Sequence, residues 1–250
     1  MKFFPAAALV LAFAAAAPAA ALDLAAMTEA ERTSFRAEVR AYLLENPEVL
    51  MEAIGVLEQR QQQAAVVNDQ TLLQTNAVDI FNDPDSWVGG NPDGDVTMVE
   101  FIDYRCTYCR KAHDEVAELL TSDGNIRFIV KEFPILGEES VLSSRFAIAV
   151  RQLAGDDAYK RAHDALITLR GNATKDTLAR LADELGLDAP AIIARMDAAE
   201  VTAIIDANHA LGDRMKISGT PTFVIDQTML RGYLPLEGMR QIVDEQRKGG

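Results

Sequence analysis

The sequence has only two cysteines, Cys106 and Cys109, and they lie three positions apart. A structural disulfide restrains the unfolded chain most when it closes a long loop, and this spacing closes a very short one. A zinc ribbon needs a second cysteine pair, which the chain lacks, and c-type haem attachment needs a histidine where this chain has Arg110. The pair therefore predicts redox chemistry rather than a structural role.

Basic residues are also scarce. The chain has 24 lysines and arginines but 38 acidic residues, so its formal net charge is −14. Nucleic acids and anionic membranes both favour basic surfaces, so this balance argues against nucleic acid or a membrane surface as a partner. With 49% hydrophobic and 25% charged residues, the composition is otherwise that of an ordinary globular protein.

Long apolar runs are missing as well. The longest stretch of this kind, residues 6–17, has twelve residues, whereas a membrane-spanning helix needs about 20. Lys2 precedes this stretch and small residues follow it, in the pattern of a secretory signal. We therefore predict a cleaved signal peptide over residues 1–21 and a mature protein that is exported.

Residues 22–78 have the pattern of a helical extension. Thr28 and Glu31 form a capping box at the start of one helix, and Pro47 suits the first turn of a second, unusually long helix that runs to about Val78. The apolar residues of the long helix form a narrow stripe that fades after Leu57. A helix of this kind either pairs with copies of itself, as an oligomerisation stalk, or is a solvated connector.

The rest of the chain reads as an α/β domain with a helical insertion. Residues 79–137 and 216–250 carry the strand signals, and residues 138–215 have helical periodicity throughout. An edge strand is predicted at either 78–81 or 86–88. The other predicted strands are residues 96–102, 125–131, 222–226 and 229–233. One helix is predicted from residue 106 and a closing helix over residues 236–247.

The two cysteines fall where a strand gives way to a helix. Unpaired N–H groups and the helix dipole favour a thiolate at Cys106, and Cys109 lies one turn deeper, where it could resolve a mixed disulfide. His113 complicates this interpretation, because two thiolates and an imidazole could hold Cu(I) or Zn(II). No fourth ligand is evident, so we predict no metal site and no cofactor.

Two segments resemble a known family. Residues 100–109, EFIDYRCTYC, resemble the active-site segment of the DsbA-like branch of the thioredoxin superfamily, and residues 219–224, GTPTFV, resemble its cis-proline segment. The resemblance covers about residues 78–247. It implies an α/β protein with a thioredoxin fold and an inserted helical domain, preceded here by the N-terminal helical extension.

The resemblance also implies roles for individual residues. Cys106 corresponds to the nucleophile of the redox-active disulfide and Cys109 to its resolving cysteine, while Glu100 corresponds to a buried acid that assists proton transfer. Thr220 and Pro221 correspond to the segment that binds an extended substrate peptide. The partners implied are exported proteins with thiols or disulfides, and a membrane redox partner that resets the dithiol in the periplasm.

The N-terminal extension carries a second resemblance. Residues 46–49, NPEV, and the long helix resemble the N-terminal region of ScsC-type proteins, and some relatives with such extensions are trimeric disulfide isomerases. The spacer Thr107-Tyr108 differs from the Pro-His of the simplest DsbA pattern. The sequence thus predicts a periplasmic protein thiol–disulfide oxidoreductase, either an isomerase or reductase or a dithiol oxidase. A copper-binding protein that uses the same cysteines and a chaperone-like module are the alternatives.

Overall fold

A computed structural model describes residues 26–249 of the chain. The predicted signal peptide, residues 1–21, lies outside this range. The chain divides into two compact units, with the boundary between Gln61 and Gln62. In the part described, no helix combines the length and the apolar character that a bilayer crossing requires.

The described part of the N-terminal unit is helical. It contains α1 (Glu29–Glu45) and the first part of α2 (Glu48–Thr75). The predicted capping box is present, because the Glu31 N–H donates to the Thr28 hydroxyl and the Glu31 carboxylate accepts from the Thr28 N–H. No side chain of α1 is buried. Its large apolar side chains Phe35, Val39, Tyr42 and Leu44 are therefore exposed.

The main unit begins with the end of α2 and with a short helix, α3 (Ala77–Phe81). Five strands then form one sheet in the order β1-β3-β2-β4-β5. β2 and β3 are parallel and all other neighbouring strands are antiparallel. The strands are β1 (Trp87–Gly90), β2 (Val96–Ile102), β3 (Ile126–Glu132), β4 (Thr222–Ile225) and β5 (Thr228–Arg231).

Helices connect and cover these strands. α4 (Thr107–Asp123) joins β2 to β3, and the predicted insertion between β3 and β4 consists entirely of helices and loops. The last helix described is α10 (Leu236–Gly249). The helices of the insertion are α5 (Glu138–Ala154), α6 (Asp156–Thr168), α7 (Lys175–Glu184), α8 (Ala189–Arg195) and α9 (Ala199–Arg214).

The sheet is covered on both faces, so β2 and β3 are buried along almost their whole length. α4 and α10 pack on the face that carries Met98 and Ile102. α3 and α9 pack on the opposite face, which carries Val99 and Phe101. The predicted fold class, an α/β thioredoxin fold with helical insertion and N-terminal helices, is confirmed.

Of the two places predicted for an edge strand, the second is correct, because β1 begins at Trp87 and overlaps residues 86–88. The first is wrong, because residues 78–81 form part of α3. The β-branched and aromatic residues of this segment suggested a strand, but Ile80 is fully buried against the Val99 and Phe101 face of the sheet. Arg214 from α9 also bonds to Asp79. Tertiary packing therefore outweighs the weak local strand preference.

Candidate functional site

Cys106 lies at the start of α4, as its N-cap residue, with extended backbone angles (φ −74°, ψ 122°). Its N–H donates to the Asp103 carbonyl at 3.0 Å and its carbonyl accepts from the Arg110 N–H at 3.1 Å. Its sulfur is therefore fixed beside the free N–H groups of the first helical turn.

The loop before Cys106 is organised by Asp103, which the sequence reasoning did not single out. This carboxylate is fully buried and accepts from the backbone N–H groups of Arg105, Ile135 and Leu136, at 2.8, 2.8 and 3.0 Å. The first bond is an Asx turn, a signal that the sequence does carry. Asp103 thus joins the cysteine loop to the loop after β3.

The surroundings of Cys106 favour its ionised form. The neighbouring Cys109 thiol lowers the pKa of Cys106 most, and Thr220 and the backbone N–H groups of Cys109 and Tyr108 lower it further, so that it is about 5. Partial burial opposes this shift. At neutral pH Cys106 is therefore a thiolate, which is the nucleophilic form of cysteine.

The segment with Thr220 and Pro221 faces Cys106 from the loop before β4. The Cys106 sulfur lies 3.1 Å from the Thr220 carbonyl oxygen, and the peptide bond between Thr220 and Pro221 is cis. Pro221 is buried and Thr220 is half-buried. The fold thus brings these two residues together with the cysteine pair, 114 positions away in the chain.

Cys109 and Glu100 lie beneath Cys106. Cys109 is fully buried, and burial together with its hydrogen bond to Cys106 raises the pKa of this thiol far above its usual range. Glu100 is only 3% exposed, and its Oε1 has no hydrogen-bond partner. Burial raises the pKa of Glu100 most, and the negative charges of Cys106 and Glu132 raise it further, so that it is about 8.

Glu132 is a second buried acid on the same face of the sheet, and sequence reasoning missed it. It pairs with Ile102 in the parallel register, two residues along β2 from Glu100. Its Oε1 accepts from the hydroxyls of Tyr104, at 2.8 Å, and Tyr159, at 2.6 Å. Burial raises the pKa of Glu132 to about 7.

Lys131, the residue before Glu132 on β3, does not join the two buried acids. Because it pairs with Phe101 in the register, its side chain points to the other face of the sheet. There its ammonium group binds Asp83 at 2.5 Å.

His113, the residue that could have joined the cysteines in a copper site, is engaged by another group. Its Nε2 lies 3.3 Å from Oδ1 of Asp164, and its ring lies 5.4 Å from that of His163. These contacts do not favour the copper-binding alternative, in which His113 would complete a site with Cys106 and Cys109.

The fold and the site define a thioredoxin-fold protein with a CxxC pair at a helix start and a facing cis-proline. Residues 82–245 match the family model described as Thioredoxin, and the chain belongs to this family. Residues 31–64 match the model described as the Copper resistance protein ScsC N-terminal domain. Both resemblances seen in the sequence, to DsbA-like proteins and to ScsC, are confirmed.

Solved structures agree. A thioredoxin-like oxidoreductase from Silicibacter pomeroyi DSS-3 is 42% identical, with 68% of this chain and 97% of that chain covered and a TM-score of 0.64. Proteus mirabilis ScsC in a transitional conformation is 25% identical, with 91% and 100% covered and a TM-score of 0.65.

A curated relative is much longer than the stretch that matches this chain. The Na(+)/H(+) antiporter NhaA 1 of Salinispora arenicola is 30% identical over 167 residues, which are 64% of this chain. The matched stretch spans only 25% of the antiporter's length.

Proposed function

We propose that this chain is an exported thiol–disulfide oxidoreductase that acts on protein disulfides through Cys106 and Cys109. One observation carries the proposal: a cysteine with a pKa of about 5 starts a helix, directly beside a buried thiol. A thiolate of low pKa is also a good leaving group, so exchange can run in either direction.

In the first step, the Cys106 thiolate attacks one sulfur of a substrate disulfide. A bond forms between Cys106 and that sulfur, the substrate S–S bond breaks, and the second substrate sulfur leaves as a thiolate. The position of Thr220 and Pro221 directly beside the Cys106 sulfur supports the proposal that a substrate peptide aligns there. Side chains exposed near the site, Tyr108 and Leu136, offer it apolar contacts.

The second step needs a base, because Cys109 is a thiol at ordinary pH. The Cys106 charge is one cause of the raised pKa of Glu100, and this charge disappears when Cys106 enters a mixed disulfide. The pKa of Glu100 should then fall, so that its carboxylate can accept the Cys109 proton. Cys109 next attacks Cys106, the internal disulfide forms, and the substrate sulfur leaves reduced.

We further propose that the protein works as an isomerase or reductase and assembles through its N-terminal helices. Several active sites around one substrate help an isomerase to find wrong disulfides. The exposed apolar side chains of α1 and the match of residues 31–64 to an ScsC N-terminal domain support this. A membrane partner in the periplasm would keep the dithiol reduced, and a solved relative from Salmonella is described as periplasmic.

Single-cysteine variants test the chemistry. We expect Cys106→Ser to abolish refolding of scrambled ribonuclease, and Cys109→Ser to accumulate a covalent complex with substrate that mass spectrometry detects. Alkylation of Cys106 should reach half its maximal rate near pH 5, since only the thiolate reacts. Circular dichroism checks that both variants fold. Full refolding activity in folded Cys106→Ser would overturn the proposal in favour of a chaperone-like protein.

A further inference from the structure

A cluster of metal-ligating side chains lies apart from the cysteines. His113 of α4 and His163 and Asp164 of α6 each offer one ligand atom, and these atoms lie within 4.8 Å of one another. Four ligands held about 2.0–2.2 Å from a zinc ion are roughly 3.3 Å apart. Nε2 of His113 and Oδ1 of Asp164 already have a separation of 3.3 Å. Two of the three ligands therefore have the spacing of a metal site, and the third needs only a modest approach.

The hydrogen bonds of His163 decide which of its nitrogens is free. The Tyr104 hydroxyl has one proton, which it donates to Oε1 of Glu132 at 2.8 Å. Nδ1 of His163 lies 3.1 Å from the same hydroxyl oxygen. The imidazole must therefore donate its Nδ1–H to Tyr104. In this neutral tautomer Nε2 carries the lone pair that a metal requires.

This arrangement is typical of the groups behind a metal-binding histidine. Such a histidine usually donates its second N–H to a carboxylate, carbonyl or water, which fixes the ring and its tautomer. Here Glu132 does so through Tyr104, and Tyr159 donates to the same carboxylate oxygen. The Trp87 indole stacks on the His163 ring, with centroids 6.5 Å apart. The ring is thus oriented by fully packed neighbours without a metal.

We propose that His113, His163 and Asp164 bind a zinc ion, with water as the fourth ligand. Two imidazoles, a carboxylate and a water form a donor set that zinc commonly accepts. Lys160 now neutralises Asp164, with its ammonium group 2.7 and 2.5 Å from the two carboxylate oxygens. Its side chain is 46% exposed, so it can turn to solvent when the ion binds. The ion would join α4 to α6 and does not depend on the thiols.

Zinc titration tests the site in the full chain carrying Cys106→Ser and Cys109→Ser, which removes the competing thiolates. We expect calorimetry to show one equivalent of zinc, and Co(II) to give the visible bands of a four-coordinate ion. His113→Gln and Asp164→Asn should each weaken binding by roughly tenfold or more, since each removes a ligand. The matched control is His209→Gln, because His209 contacts the Pro134 carbonyl instead.

A fourth variant separates a metal site from a simple ion pair. Lys160→Gln removes the cation that competes for Asp164, so zinc should bind more tightly than before. His163 is buried, and for that reason the test relies on the partly exposed His113, Asp164 and Lys160. Absence of zinc binding in the double-serine protein would overturn the proposal. Equal zinc affinity in His113→Gln and His209→Gln would do so too, because the ion would then lie elsewhere.

Discussion

Two carboxyl groups, Glu100 and Glu132, lie on the sheet face beneath the cysteines, where water does not reach them. Burial raises the pKa of each, and ionisation of one disfavours ionisation of the other. Such groups destabilise a protein as the pH rises, because the unfolded chain ionises them freely and the folded chain does not. This cost to stability supports the proposal that Glu100 takes part in proton transfer.

Glu100→Gln should reveal both effects. The pKa of Glu100 is about 8 in the folded protein and 4.5 when unperturbed, so between these pH values the folded state holds a proton that the unfolded chain has lost. Wild-type stability therefore falls as the pH rises from 4.5, and the loss is complete once the pH has risen through 8. The variant lacks this loss. In urea unfolding, the amount by which its free energy of unfolding exceeds that of wild type should be largest above pH 8 and vanish below 4.5. Resolution of the mixed disulfide should slow on the order of 10²-fold in rapid-quench measurements.

Glu132→Gln is the matched control for Glu100→Gln. It removes a neighbouring negative charge, so the pH at which resolution is half-maximal should fall while resolution itself persists. If Glu100→Gln leaves the resolution rate unchanged, Glu100 is not the base.

The residues of the site differ in how far the sequence could predict them. Cys106 and Cys109 are visible from local spacing alone, and Glu100 from a charge in an apolar strand. Glu132 carries the same signal at the end of β3, but its importance depends on Tyr104 and Tyr159, which lie 28 and 27 positions away. Contacts at such separations depend on how helices and strands pack, which local patterns do not specify.

At the scale of elements, the edge strand β1 ends in a tightly constrained glycine. Gly90 has φ +66°, and a Cβ there would collide with the carbonyl oxygen of Ile126 on β3. Gly124, after α4, has a similar φ of +72° but open space around it. The two positions share the backbone requirement and differ in crowding.

We therefore expect Gly124→Ala to lower the free energy of unfolding by about 1–2 kcal/mol, from backbone conformation alone. Gly90→Ala should lower the free energy of unfolding by about 1–3 kcal/mol more, because its Cβ also crowds the β1–β3 pair. Urea unfolding of both variants measures the difference. Equal losses would mean that β1 moves away from β3 without cost.

The helices and strands were predictable where the pattern of apolar residues extends over many positions and the packing of the folded chain agrees with it. β2 has the predicted bounds, and β3 is shifted by one residue at both its start and its end. The segment around α3 was not predictable, because four residues such as Val78-Asp79-Ile80-Phe81 fit a strand or a helix equally well. Packing decides in favour of a helix, because Ile80 and Leu73 then cover the same apolar cluster on the sheet.

At the scale of the whole molecule, α1 exposes apolar side chains on one side. Phe35, Val39 and Tyr42 follow helical spacing and are 44%, 40% and 54% exposed. We call these three residues the α1 stripe. Burial between copies of the chain would remove this apolar surface from water, which favours association.

Phe35→Ser with Tyr42→Ser should therefore reduce the mass in solution, measured by light scattering, to that of a single chain. Refolding of scrambled ribonuclease should fall with it, while oxidation of a dithiol peptide persists. The control carries Ala37→Ser and Ala41→Ser, two exposed residues that lie away from the stripe. A wild-type protein that is already a single chain would refute the assembly.

The spacer between the cysteines has one further consequence. Thr107 and Tyr108 are exposed, while Cys106 and Cys109 on either side are buried. Spacer residues influence the stability of the thiolate and hence the reduction potential. Mutation libraries at these two positions can therefore explore a range of potentials with little change to the core. Natural selection has the same freedom, so related proteins can diverge in redox role while the scaffold stays the same.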